Sequence, residues 1–186
     1  MNDKEYFESL VISVGQWSEY NFGDQNGLDH LAPLFGIHEE VGEYYDSLFG
    51  QKVDAEENVE SVTAQMDAKC DLFIYYCDYL YRSGDEFFRY NDLDFSPPDT
   101  DSCEKELILD IFVALSKLYH IELKRVQGIR KFADDNFYYE MKKKAVRELH
   151  RRIMNFVYPY EEFKQSLDRV WKYVVSKRNW RLNKDG

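Results

Sequence analysis

The sequence predicts an all-α protein, a helical bundle made of two related halves whose antiparallel helices pack together. Apolar and aromatic residues recur at helical spacing along almost the whole chain, as Tyr6, Leu10, Val14 and Trp17 do near its start. Sustained alternation of apolar and polar residues, the pattern of a half-buried strand, is missing from the sequence. A hydrophobic content of 44% over 186 residues is enough for one medium domain or two small ones with a genuine core.

The individual elements follow from this periodicity and from the residues that interrupt it. Pro33 is placed to open a helix, Pro159 is placed to restart one after a short break, and Pro97 with Pro98 marks a linker. Turn-forming residues are concentrated in the loop from Asn21 to Asp29 and in the stretch 94–102. Helices are therefore predicted at 3–20, 31–49, 56–82, 103–127, 134–157 and 160–177.

Charge is divided unevenly along the chain. Residues 1–102 hold 5 Lys and Arg against 23 Asp and Glu, whereas residues 103–186 hold 19 against 12. This division favours docking of the two halves, and it also suits a phosphorylated small molecule, because an acidic half binds metal cations and a basic half binds anionic oxygens. We expect an acidic repeat over 1–95, a linker over 96–102 and a basic repeat over 103–186 that packs on the first.

The two halves also align weakly as repeats, with 34–48 matching 107–121 after a gap of one residue and 67–80 matching 144–157 without a gap. The alignment sets the acidic residues of the first half mainly against uncharged or basic ones: Glu39 with Val113, Glu40 with Ala114, Glu43 with Lys117, Asp67 with Lys144 and Asp71 with Glu148. Such a duplication implies one acidic site and one charge-reversed counterpart in the same chain.

Composition limits the kinds of partner that the protein is expected to bind and the cell compartment in which it is expected. A net charge of −11 argues against general binding of nucleic acid, because the chain lacks a field that replaces phosphate counterions. No stretch approaches the roughly 18 apolar residues of a membrane helix, and the start MNDKEYFESL lacks the pattern of a signal peptide. Cys70, Cys77 and Cys103 are too few and too widely spaced for a disulfide framework or a zinc site. We expect a cytoplasmic protein that does not bind membranes.

Five carboxylates form the candidate site. Glu39, Glu40 and Glu43 crowd one face of a helix, where like charges repel each other. Asp67 and Asp71 repeat this spacing at the start of the next apolar helix, and two antiparallel helices would set both acidic faces opposite each other. Oxygen ligands without His or Cys favour Mg²⁺, with Mn²⁺ as the other option. The alternative is that both acidic patterns are ordinary solvated helix faces.

The chain resembles the MazG-like all-α nucleoside triphosphate pyrophosphohydrolases, in which an ExxE helix is followed by an ExxD or DxxxD helix. The resemblance rests on GIHEEVGEYYDSL and DAKCDLFIYYCDYL, and it extends to WSEYNFGD, HIELKRVQGIR and VWKYVVSKRNW. Ala68 stands where the family has the glutamate of ExxD, with Asp67 beside it. The Lys and QGIR element lies in the second half, apart from the acidic helix that it normally follows, which a tandem duplication explains.

The resemblance implies hydrolysis of a nucleoside triphosphate to the monophosphate and pyrophosphate. The implied metal ligands are Glu40, Glu43, Asp67 and Asp71, and Glu39 is the candidate that orients the attacking water or binds a second ion. The implied substrate contacts are Lys124, Arg130 and Gln127 of the displaced element, and Trp17 and Asn21, which stack on and hydrogen-bond a base.

Several alternatives stay open. Lys124 and Arg130 also fit solvated cations at a helix end, and Trp17 also fits a residue of the core. Members of the family dimerise, so the chain is expected as a homodimer or as a monomer that imitates a dimer. A sensor that binds nucleotide or metal without turnover, and a helical interaction protein that recruits a partner through its charge, remain the competing functions.

Overall fold

The computed structural model of the protein describes residues 2–23, 31–49, 62–83, 96 and 103–177. All regular structure within these residues is helical, which confirms the all-α class. The helices are α1 Asp3–Phe22, α2 Ala32–Leu48, α3 Ala64–Arg82, α4 Glu104–Val126, α5 Asp135–Phe156 and α6 Tyr160–Lys177. None of the helices in the described part of the chain is long and apolar enough to span a membrane.

Helix starts follow from capping residues. The side chain of Asn2 accepts the N–H of Glu5, whose carboxylate in turn accepts the N–H of Asn2, and this reciprocal pair opens α1. Pro33 lies in the first turn of α2, as predicted. The hydroxyl of Thr63 accepts the N–H of Met66 at 3.2 Å and starts α3.

One predicted helix boundary is wrong. A third helix running without a break from residue 56 is not formed, because Val62 and Thr63 are not helical and Thr63 is an extended N-cap. Residues 56–61 lie outside the described residues, as do 24–29 of the first predicted loop and 97–102 of the predicted linker.

The chain divides into two compact units, 1–84 with 159–186 and 85–158. The first unit therefore includes α1, α2, α3 and α6, and the second includes α4 and α5. This grouping differs from the predicted halves, because α6 packs on α3 instead of staying with α4 and α5. The relation of the halves as repeats stays a prediction.

α3 is the central helix of the first unit and contacts α1, α2 and α6. The ring of Phe73 in α3 lies 4.9 Å from that of Phe7 in α1 and 5.3 Å from that of Phe163 in α6, and all three side chains are buried. Two glycines allow close approach of the helices: Gly15 of α1 lies directly against a tyrosine ring of α3, and so does Gly36 of α2.

The second unit is an antiparallel helix pair. Arg152 of α5 pairs with Asp110 near the start of α4, and Lys142 of α5 pairs with Glu122 near the end of α4 at 3.0 Å. Both members of the second pair are almost completely buried, and the hydroxyl of Tyr138 donates to Glu122 at 2.7 Å. A buried pair is tolerated because each charge has a partner.

Candidate metal centre

The candidate centre lies where α2 and α3 pack side by side. The ammonium of Lys69 in α3 lies 5.3 Å from the ring centre of Tyr44 in α2, and the ring of Tyr75 lies against Gly36. Later residues of α3 thus meet earlier residues of α2, so the two helices are antiparallel. The middle of α2, with Glu40, therefore faces the first half of α3, as the sequence predicts.

Glu40 is the buried member of the acidic set. Its side chain faces inward between Ile37, Val41 and Tyr44, which are all buried, and the residue itself is 7% exposed. Glu39 is exposed on the same helix, while Glu43 is half-buried. Adjacent residues of a helix point in different directions, so the rotation of α2 that buries Glu40 also leaves Glu39 exposed.

The other four carboxylates act electrostatically on Glu40. Burial raises the pKa of Glu40 most, and the charges of Asp71, Glu43, Glu39 and Asp67 raise it further, to about 9. The carboxyl is therefore protonated at neutral pH. Both helices thus contribute charge to one local region, and the role of these residues as metal ligands stays a prediction.

The acidic side chains do not converge on one point. Among the residues that the structure describes, no three Cys, His, Asp or Glu side chains are arranged as a group able to hold a metal ion. The donor chemistry fits Mg²⁺, since the five residues offer carboxylate oxygens alone, but the side chains must rotate to bind one ion together.

Trp17 and Asn21 of the predicted base contact lie one turn apart on α1. The amide of Asn21 donates to the carbonyl of Trp17 at 2.9 Å, and Asn21 is 5% exposed. The indole N–H of Trp17 and the side-chain oxygen of Asn21 are buried and have no hydrogen-bond partner among the described residues. The indole packs edge-on against Phe22 and Trp171, as a core residue does. The structure thus brings these two residues together, and the described residues leave the indole N–H of Trp17 and the side-chain oxygen of Asn21 without a hydrogen bond.

The predicted phosphate contacts lie in the second unit. Lys124 lies in the last turn of α4 and donates to the side chain of Gln127 at 3.3 Å, just before Gly128, which has a φ of 65°. Arg130 is exposed a little further along this turn. Lys124 and Gln127 are brought together, whereas the acidic residues and Trp17 belong to the first unit.

Sequence reasoning missed a polar network between α1 and α3. Asp78 accepts from the hydroxyl of Ser18 at 2.9 Å and from Nε of Arg82 at 2.8 Å. Ser18 is buried and the Arg82 side chain is only 4% exposed. The spacing of Asp78 and Arg82, four residues apart on one helix, was a usable signal, although only the fold adds Ser18.

Comparison with models of known protein families found no match to this chain. Comparisons with curated proteins and with solved structures found none either. The resemblance to MazG-like enzymes therefore rests on the sequence motifs alone.

Proposed function

We propose that the protein is a Mg²⁺-dependent hydrolase that converts a nucleoside triphosphate, or a related nucleotide, to the monophosphate and pyrophosphate. The observation that carries this proposal is the position of Glu40, which is buried and surrounded by the charges of four other carboxylates. Burial first, and then these charges, raise the pKa of Glu40 to about 9. So much negative charge in one region destabilises the fold, and a divalent cation is the ligand that relieves it.

The residues divide into three roles in this proposal. Glu40, Glu43, Asp67 and Asp71 hold the metal through their oxygens, and Glu40 gives up its proton when it does so. Glu39 is exposed and stays available to orient a water molecule toward the α-phosphorus. A bound Mg²⁺ would neutralise the triphosphate and make the attacking water more acidic.

The base is proposed to meet the end of α1. Ser18 bonds to Asp78, which lies two helical turns beyond Asp71 on α3, or about 10 Å along the helix. Trp17 and Asn21 flank this point, and their buried donor and acceptor lack partners within the described residues. A base that supplies one acceptor and one donor would satisfy both groups.

The test is release of pyrophosphate from ribo- and deoxyribonucleoside triphosphates with Mg²⁺. Glu43→Gln and Asp71→Asn should each lower the rate at least about a hundredfold, a loss of about 3 kcal/mol of transition-state stabilisation. Asp46→Asn is the matched control, because Asp46 is exposed on α2 and does not contribute to the raised pKa of Glu40.

The outcomes separate the competing functions. Wild-type rates in both Glu43→Gln and Asp71→Asn would refute the proposed ligands. Tight nucleotide binding without turnover would favour a sensor, and no nucleotide binding would favour a helical interaction protein. Substitution of Lys124 should raise KM more than it lowers kcat if this residue binds phosphate uniformly.

A further inference from the structure

The second unit contains a pocket of its own, between α4 and α5. Its volume is about 500 Å³, within the range of small-molecule sites. It is lined by three basic, three apolar and one acidic residue: Lys117, His120 and Lys144; Ile121, Met141 and Ala145; and Glu148. All seven of these lining residues belong to the second unit.

The charge in this pocket is positive. Glu148 accepts hydrogen bonds from Arg151 at 3.1 Å and from Arg152 at 2.9 Å. Partial burial raises the pKa of Glu148, but the bonds and charges of the two arginines outweigh burial and lower it below the usual value. The carboxylate is thus ionised and already neutralised, so it does not cancel the charge of Lys117 and Lys144.

The two lysines differ from their neighbour Lys142. Lys142 is buried and paired with Glu122, so its charge is balanced within the core. Lys117 and Lys144 are exposed, and neither has a carboxylate partner among the described residues. Their ammonium groups border a cavity whose remaining wall is apolar, through Ile121 and Ala145. The charges of Lys117 and Lys144 beside an apolar wall favour a ligand that has both a negatively charged group and an apolar part.

We propose that this pocket binds a small organic phosphate. Lys117 and Lys144 would bind the phosphate oxygens as point charges, and the imidazole N–H of His120 would donate a hydrogen bond. The apolar side chains of Ile121 and Met141 would cover the organic part of the ligand. This site is separate from the proposed catalytic centre and does not require that centre to be active.

The sequence alignment of the two halves gives independent support. It sets Lys117 opposite Glu43, Lys144 opposite Asp67 and Glu148 opposite Asp71. The three residues that the alignment places in the second half, Lys117, Lys144 and Glu148, all line this pocket. The same two-helix arrangement thus offers cation ligands in one unit and anion ligands in the other.

The test measures binding of AMP to the full chain by calorimetry, in EDTA so that no metal contributes. Wild type should bind AMP more tightly than it binds pyrophosphate, which lacks the apolar part, or adenosine, which lacks the charge. The double variant Lys117→Gln, Lys144→Gln should bind AMP about tenfold more weakly, as expected for two partly solvated charge contacts. The matched control is Lys131→Gln, since Lys131 is an exposed lysine outside the pocket.

A second measurement locates the ligand. The methyl group of Met141 lines the pocket, whereas Met66 lies in α3 beside Asp67. In protein labelled at methionine methyls, AMP should shift the signal of Met141 and leave that of Met66 unchanged. Glu43→Gln should bind AMP as wild type does, whether or not it has lost hydrolysis.

Three results would overturn the proposal. The first is no binding of AMP at millimolar concentration, and the second is equal affinity for AMP and adenosine or for AMP and pyrophosphate. The third is a shift of Met66 alone, which would assign the AMP to the acidic centre of the first unit. None of these results depends on whether the chain hydrolyses triphosphates, so failure here and failure of the proposed function are distinguishable.

Discussion

Replacing Glu40 by Gln tests whether the acidic centre destabilises the metal-free fold. In the folded protein the pKa of Glu40 is raised to about 9 by burial and by the charges of Asp71, Glu43, Glu39 and Asp67. In the unfolded chain the same carboxyl returns to its ordinary value of 4.5. Between these two values the folded state holds a proton that the unfolded state has lost, so stability falls as the pH rises through this window.

The size of the effect follows from this difference in pKa. Each pH unit above 4.5 removes about 1.4 kcal/mol of stability until the folded pKa is reached, so the cost at pH 7 is about 3 kcal/mol. Gln has nearly the same shape as protonated Glu and carries no charge. Metal-free Glu40→Gln should therefore exceed wild type by about 3 kcal/mol at pH 7 and should differ little from it near pH 4.5.

The assay is urea unfolding followed by circular dichroism, in EDTA, between about pH 5 and pH 8. Wild type should lose stability across this range, and Glu40→Gln should lose much less. Added Mg²⁺ should stabilise wild type more than the variant, because ligand binding adds to the stability of the state that binds it. Asp46→Asn again serves as the control and should keep the wild-type slope.

Two results for Glu40→Gln would refute the raised pKa of Glu40. If this variant is less stable than wild type at pH 7, or loses stability with rising pH as steeply as wild type does, then burial and the neighbouring carboxylates do not raise the pKa of Glu40 as described. The centre would then be an ordinary part of the core of the first unit, and the argument for a bound cation would lose its main support.

Three further predictions concern the packing of each unit, and all are read by urea unfolding. Gly15→Ala should cost about 1–3 kcal/mol because the added Cβ would lie 1.9 Å from the ring of Tyr81, whereas Gly42→Ala, with open space around it, should gain up to about 1 kcal/mol. Lys142→Met should cost about 3–5 kcal/mol by leaving Glu122 buried without its cation, and the additional change Glu122→Leu should restore most of the loss. Phe73→Ala should cost about 3–5 kcal/mol, against less than about 1 kcal/mol for Phe35→Ala, because Phe35 is 64% exposed. Equal costs within the glycine pair or the phenylalanine pair, or a double variant as unstable as Lys142→Met, would contradict the packing described.

Local sequence signals predicted the helices well. The prolines at 33 and 159 and the apolar repeat set most helix bounds within a few residues of those observed. The third helix was placed too early because its sequence stays compatible with a helix before Thr63, and only the cap geometry shows where α3 begins.

The position of α6 was not predictable from charge or periodicity. The apolar stripe of α6 indicates which face is buried but carries no information on which helix covers it. Phe163 packs on Phe73, and Tyr160 packs on Phe7, so the partners lie far away in the sequence. Division of the chain by net charge therefore carried no information on the contact between α6 and α3.

The arrangement of the candidate centre was partly predictable from the sequence. The spacing of acidic residues on two successive helices predicted that Glu40 and Asp71 lie near each other if the helices pack antiparallel. Residues 49–63 separate α2 from α3, so the antiparallel packing does not follow from a tight connection. Spacing did not show that Glu40 alone is buried while Glu39 is exposed, since this depends on how α2 is rotated against its neighbours. It also did not reveal the bond from Ser18 to Asp78, which joins residues 60 positions apart.

The return of α6 to the first unit has a consequence for biosynthesis. The stretches 1–84 and 159–186 must both have left the ribosome before Phe163 can cover Phe73. At about 5–20 residues per second, the 74 intervening residues delay that step by roughly 4–15 s. During this interval the nascent chain exposes an aromatic surface on α3 while the second unit is free to fold, so chaperone binding is expected to concentrate on this window.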